Sequence, residues 1–142
     1  MMLEDIAILP AREIVVNEEL IGKALKNIEA DYKKTYTKFK KADHLDAARE
    51  LTRTKDILID KVENYGNFNG IESNVFYYYD KTVSILDYFE NPTIVLVEPV
   101  HIKERITGMQ HEYNDSMQTR FEKGYLLPKQ LELSRRFKYI LD

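Results

Sequence analysis

A mainly α-helical chain with a minor α/β part is what this sequence predicts, built as a long antiparallel helical hairpin followed by a strand and a further long helix. Three observations carry that prediction. Apolar residues recur at helical spacing twice in succession between Asn17 and Asn64. A single β-branched run, Thr93-Ile94-Val95-Leu96-Val97, stands between Pro92 and Pro99. Only five glycines and four prolines interrupt 142 residues, so long helices are possible and low-complexity linkers are not.

The elements follow in order. Ile6-Ala7-Ile8-Leu9, ended by Pro10, and Ile14-Val15-Val16 are too short for a free sheet and read as extended connecting chain. Asn17 is placed as an N-cap, with Glu18 and Glu19 suited to the positive end of a helix. Ile21, Leu25, Ile28, Tyr32, Tyr36 and Phe39 then keep one side of that helix apolar to Lys41. Asp43 can cap a second helix, with Asp46 mimicking a capping box, and its stripe is Leu45, Ala48, Leu51, Leu58 and Val62. Lys55 interrupts that stripe. Two such helices joined by a few residues must pack antiparallel.

Gly66 and Gly70 punctuate the end of the second helix. Aromatics crowd next, from Phe76 to Tyr79, and core or interface packing is favoured over base stacking because Lys81 is the one nearby cation. The continuous apolarity of 93–97 predicts a strand buried on both faces, whose sheet partners lie elsewhere. A third helix is expected from His101 through Ile102, Ile106, Met109, Tyr113, Met117 and Phe121 to a stop at Gly124. Pro128 opens a last helix bearing Leu131, Leu133, Phe137 and Ile140.

Composition limits the function. Hydrophobic content of 44% and charged content of 32% describe a globular chain long enough for one core. The net charge of −3 disfavours DNA-backbone binding by this segment alone, although a local basic face is compatible with it. Without cysteine there are no disulfides or thiolate metal sites. No apolar run suits a bilayer, and the acidic start lacks a signal peptide, so a cytoplasmic protein without membrane partners is expected.

Chemistry is hard to find. No glycine opens a phosphate-cradling Walker A pattern, and Gly-x-Gly-x-x-Gly and Gly-x-Ser-x-Gly are absent. His101 and His111 stand ten apart without zinc-site spacing and read as surface histidines, as does His44. Carboxylates are so numerous that an acid/base pair chosen here would be arbitrary. Lys129, Arg135, Arg136 and Lys138 make a modest basic patch on the last helix. A salt-bridged surface is its default reading; contact with DNA or an acidic partner is the alternative.

The order of landmarks resembles two related families, the excinuclease B subunit and the bacterial transcription-repair coupling factor. Leu9-Pro10-Ala11 resembles their exit from a small β domain. Asn69-Gly70-Ile71-Glu72-Ser73-Asn74 is similar to their Ser-Gly-Ile-Glu-Asn turn, and Leu86-Asp87-Tyr88-Phe89 to their Leu-Asp-Tyr-Phe element. An active excinuclease B is expected to carry Asp-Glu after the strand, the Walker B carboxylates; here the pair is Val97-Glu98, followed by Pro99. That degenerate Walker B position, and the stretch from Glu122 to Leu131, look more like the coupling factor.

This resemblance implies a division into 1–16 leaving a β domain, 17–84 as a helical hairpin, and 85–142 as part of a RecA-like α/β unit. It gives Gly70, Ile71 and Glu72 a structural role in the turn. It implies a non-catalytic segment, without cofactor of its own, of an ATP- and magnesium-dependent DNA translocase. The parent's partners would be RNA polymerase, excinuclease A and double-stranded DNA, and those of the segment the parent's other domains. An excinuclease B segment is the second reading. An unrelated self-associating helical adaptor is the third, and exposed apolar surface would make the segment a homodimer.

Overall fold

The computed structural model describes residues 14–83, 85–93 and 95–135. The elements in order are α1 (Glu18–Lys41), α2 (Leu45–Tyr65), a 3₁₀ turn (Ile71–Asn74), α3 (Val75–Tyr78), a second 3₁₀ turn (Ile85–Tyr88), α4 (Pro99–Glu122), a third 3₁₀ turn (Pro128–Leu131) and α5 (Glu132–Arg135). The mainly helical class is as expected from the two stripes.

Helix α1 starts where its cap demands. Asn17 sits in extended backbone and its side-chain oxygen accepts from the Leu20 N–H at 2.8 Å. Glu18 and Glu19 lie in the first turn and Lys38, Lys40 and Lys41 in the last, matching the helix dipole at both ends. Asn17→Ala should lower stability by about 1 kcal/mol, the usual worth of a lost N-cap, and a urea melt with an unchanged slope would measure it. An unchanged midpoint would mean that water replaces the cap.

The hairpin is antiparallel. Tyr32 hydroxyl meets Thr52 Oγ1 at 2.9 Å, and three residues back along α1, Glu29 lies 3.5 Å from Lys55, three residues forward along α2. Thr52 also donates to the Ala48 carbonyl, so its oxygen accepts from Tyr32. The seam buries Ala24, Ile28 and Phe39 of α1 against Ala48, Leu51, Leu58 and Val62 of α2. Lys55 fills the odd slot of the stripe by laying its stem inward and its ammonium over the Tyr32 ring, 5.0 Å from the centroid. A hydrogen bond to Asp56 raises its pKa above the ordinary lysine value, against the opposing cost of burial.

Four expectations need correction. Asp43 does not cap α2: it takes a left-handed conformation (φ 60°), the N-cap residue is His44, and the His44 side chain makes no capping hydrogen bond. The connection is so tight that the chain reverses through Asp43 itself. Of the strand expected at 93–97, the described residues 93 and 95–97 form none, and no strand occurs among the other described residues. Val95 and Val97 are 79% and 74% exposed; without a neighbouring strand, β propensity alone cannot hold a ladder. The third helix begins two residues early, with Pro99 in its first turn, and of its expected stripe only Met117 is buried while Met109 stays 64% exposed. The last helix opens with a 3₁₀ turn at Pro128, and Phe137 and Ile140 lie outside the described residues. So does the Leu9-Pro10-Ala11 segment.

The stop at Gly124 is as expected and positions everything after it. Gly124 is buried with φ 82°, and its carbonyl accepts from Thr54 Oγ1 of α2 at 2.9 Å. Phe121 packs on Phe39, ring centroids 5.7 Å apart. The end of α4 is thereby pinned across the turn of the hairpin, and Leu126 and Leu127 follow it into the core.

Candidate functional site

Three places hold the residues that the sequence singles out: the Gly70 turn with α3, the start of α4, and a cleft between α2 and the end of α4.

At the turn, Gly70 adopts φ 88°, a left-handed conformation that a side chain would strain. Ile71 behind it is fully buried, while Glu72 points to solvent. Asn74 closes the turn by donating from Nδ2 to the Gly70 carbonyl at 3.1 Å. Its Oδ1 accepts from Gln130 Nε2 at 3.0 Å, and Gln130 Oε1 in turn accepts from the Leu127 N–H at 2.8 Å. A continuous polar chain thus ties the turn to the segment after α4, 56 positions away. Sequence reasoning reached Gly70 and Ile71 but missed Asn74 and Gln130 as its clamps; a lone Asn and a lone Gln carry no periodic signal.

Tyr77 and Tyr78 are core residues, as favoured over base stacking. Both are fully buried. The Tyr77 hydroxyl donates to Asp31 Oδ2 at 3.1 Å, and its backbone carbonyl accepts from Asn27 Nδ2 at 2.8 Å. Lys129 lies 5.7 Å from its ring centroid. Of the expected basic patch, then, Lys129 lies against an aromatic ring, Arg135 is the last described residue, and Arg136 and Lys138 lie outside the described residues.

The two tyrosines differ in one respect. The Tyr78 hydroxyl is buried without a hydrogen-bond partner among the described residues. Tyr77→Phe therefore breaks a bond and leaves Asp31 short of a donor, whereas Tyr78→Phe removes an unsatisfied group. The first should cost about 1–2 kcal/mol and the second should be neutral or stabilising, as denaturant melts of the pair would register; two equal losses would overturn the distinction.

Burial raises both phenol pKa values, Tyr78 to about 12, and the Asp31 charge adds to the effect at Tyr77. A phenol whose folded pKa lies above its ordinary value of 10 adds stability that is complete below pH 10 and lost as pH climbs through the folded value. Unfolding free energy should hold steady up to that pH and decline above it. Absorbance titration of the chain and of its Tyr77→Phe and Tyr78→Phe variants should show these two phenols ionising only with unfolding.

At the start of α4, Glu98 has φ 55° and its carboxylate lies 3.3 Å from His101 Nδ1, both side chains exposed. Val97 beside it is exposed, and its side chain offers no ligand atom. Among the described residues no group of three His, Asp or Glu is placed to hold a metal ion. No described helix is long and apolar enough to cross a membrane.

The cleft has a volume of about 380 Å³, and Leu58, Lys61, Phe68, Tyr113, Arg120 and Gln130 are among its walls. The polar chain from Gly70 to Gln130 forms one side of it.

No protein-family model matches the chain. Comparison with curated proteins is more telling. UvrABC system protein B of Methanothermobacter thermautotrophicus is 24% identical over 136 residues, 92% of this chain and 21% of that protein. The chain is similar to excinuclease B nearly from end to end. The same protein of Fervidobacterium nodosum is 29% identical over 134 residues, and that of Streptococcus gordonii 24% identical over 135. The chain spans about a fifth of the length of these relatives. The excinuclease-B-like character read from the landmarks is thereby supported, and of the two resembled families it is excinuclease B, not the coupling factor, that these relatives name.

Proposed function

We propose that the chain is a segment of a nucleotide-excision-repair protein of the excinuclease B kind, serving as a helical module that positions neighbouring parts and performs no chemistry itself. The similarity to UvrABC system protein B over 92% of the chain carries this reading. The hairpin fits that role: α1, α2 and the pinned end of α4 share one buried core. In this reading the complete protein binds ATP and magnesium through residues beyond this segment, and its partners are excinuclease A and damaged DNA.

A second reading keeps the coupling factor, because Val97 stands where an active excinuclease B is expected to carry a Walker B aspartate. RNA polymerase would then replace damaged DNA as the first partner. In-frame deletion of the segment in its source cells, followed by strand-resolved repair after ultraviolet damage, separates the two. Loss of repair on both strands supports the excinuclease B reading. Loss confined to the transcribed strand supports the coupling factor, and unchanged repair overturns both.

A further inference from the structure

We infer that the cleft between α2 and α4 is an anion site for a phosphate carrying a planar base, built from Lys61 and Arg120. Its walls include these two cations and no carboxylate. That is unusual in a chain with 24 acidic residues among 142. Neither cation has an acidic residue three or four positions away on its own helix, although Asp60 and Glu63 flank Lys61 in the chain and Glu122 lies two beyond Arg120. The positions three and four away from Lys61 hold Ile57, Leu58, Asn64 and Tyr65, and those around Arg120 hold Ser116, Met117, Lys123 and Gly124. Three other cations of the hairpin are ion-paired: Lys23 with Asp80 at 2.8 Å, Arg49 with Asp46 at 3.4 Å, and Lys55 with Glu29 and Asp56.

The rest of the cleft suits the other half of such a ligand. Phe68 and Tyr113 provide aromatic wall, and Lys61 already lies 5.8 Å from the Phe68 ring centroid. Asn74 and Gln130 bring amide edges to the same space. At about 380 Å³ the cleft lies within the range of small-ligand sites. Arginine and lysine supply charge-assisted bonds to phosphate oxygens, and an aromatic face accepts any base without reading its edge. The source of the phosphate is either a free nucleotide or the backbone of a single strand. The inference stands apart from the repair reading and does not need it.

The test is calorimetric titration of the full chain with adenosine monophosphate and with a short oligothymidylate, at low salt. Three proteins are compared: the native chain, Lys61→Glu/Arg120→Glu, and Lys38→Glu/Lys40→Glu as a matched reversal at the end of α1. All four side chains are solvent-facing, and circular dichroism verifies that each variant is folded. The expected result is binding of at least one probe, weakened tenfold or more by the cleft pair and by less than twofold in the control. Binding of the monophosphate assigns the site to free nucleotides; binding of the oligothymidylate alone assigns it to single strands. No binding of either probe at millimolar concentration, or equal weakening in both variants, overturns the proposal.

Discussion

Gly124→Ala should leave the protein largely unfolded. A Cβ at this position would stand 2.3 Å from the Ala47 carbonyl oxygen and 2.8 Å from the Leu51 amide nitrogen. Both are backbone atoms of a helix packed in the core, so neither can swing aside as a side chain would. The left-handed φ of 82° adds about 1–2 kcal/mol for any L-residue with a side chain. Relief requires the end of α4 to lift from α2, and the Thr54 bond to the Gly124 carbonyl and the Phe121–Phe39 contact lift with it. The total should exceed about 4 kcal/mol, a large part of a small domain's stability. Near-ultraviolet circular dichroism and a urea melt would report it. A variant with a native midpoint would mean that α4 docks elsewhere.

Ile28→Asp should be of similar severity for a different reason. Ile28 is fully buried in the middle of the seam. The substitution removes an apolar side chain worth about 1.5–3 kcal/mol of burial and places a carboxylate in the apolar seam. A shift of the unfolding transition toward acid rescue distinguishes this from a simple cavity, because a protonated aspartic acid is far cheaper to bury than an ionised one. Ile28→Ala, the cavity without the charge, should lose less and show no such rescue.

The hairpin was legible because periodicity reports one face of a helix wherever a second helix covers it. Ile28, Leu51, Leu58 and Val62 were all placed in the core from spacing alone. The same reasoning failed along α4, whose Ile102, Ile106, Met109 and Tyr113 repeat as regularly but meet little. Spacing shows which residues could share a face and says nothing about whether a partner is present. The run at 93–97 failed likewise, since a ladder is made between strands. The candidate site was half legible. Gly70 and Ile71 stood out through a turn motif, whereas Asn74 and Gln130, 56 positions apart, are joined only by the fold. Lys61 and Arg120 drew no notice, because what marks them is a shared cleft, 59 positions apart in the chain, that only the fold assembles.

The pinned end of α4 divides that helix into two thermal regimes. Its last turns share the hydrophobic core and can open only with it. Met117 is the first residue from its N-terminus to be buried, so the preceding turns rest on their own hydrogen bonds and on helix propensity. Amide protons from Ile102 to about Tyr113 should therefore exchange orders of magnitude faster than those from Gln118 to Glu122, a gradient along one continuous helix. Anything that later clasps the outer turns would slow their exchange without altering the core, so the helix carries its own reporter of occupancy.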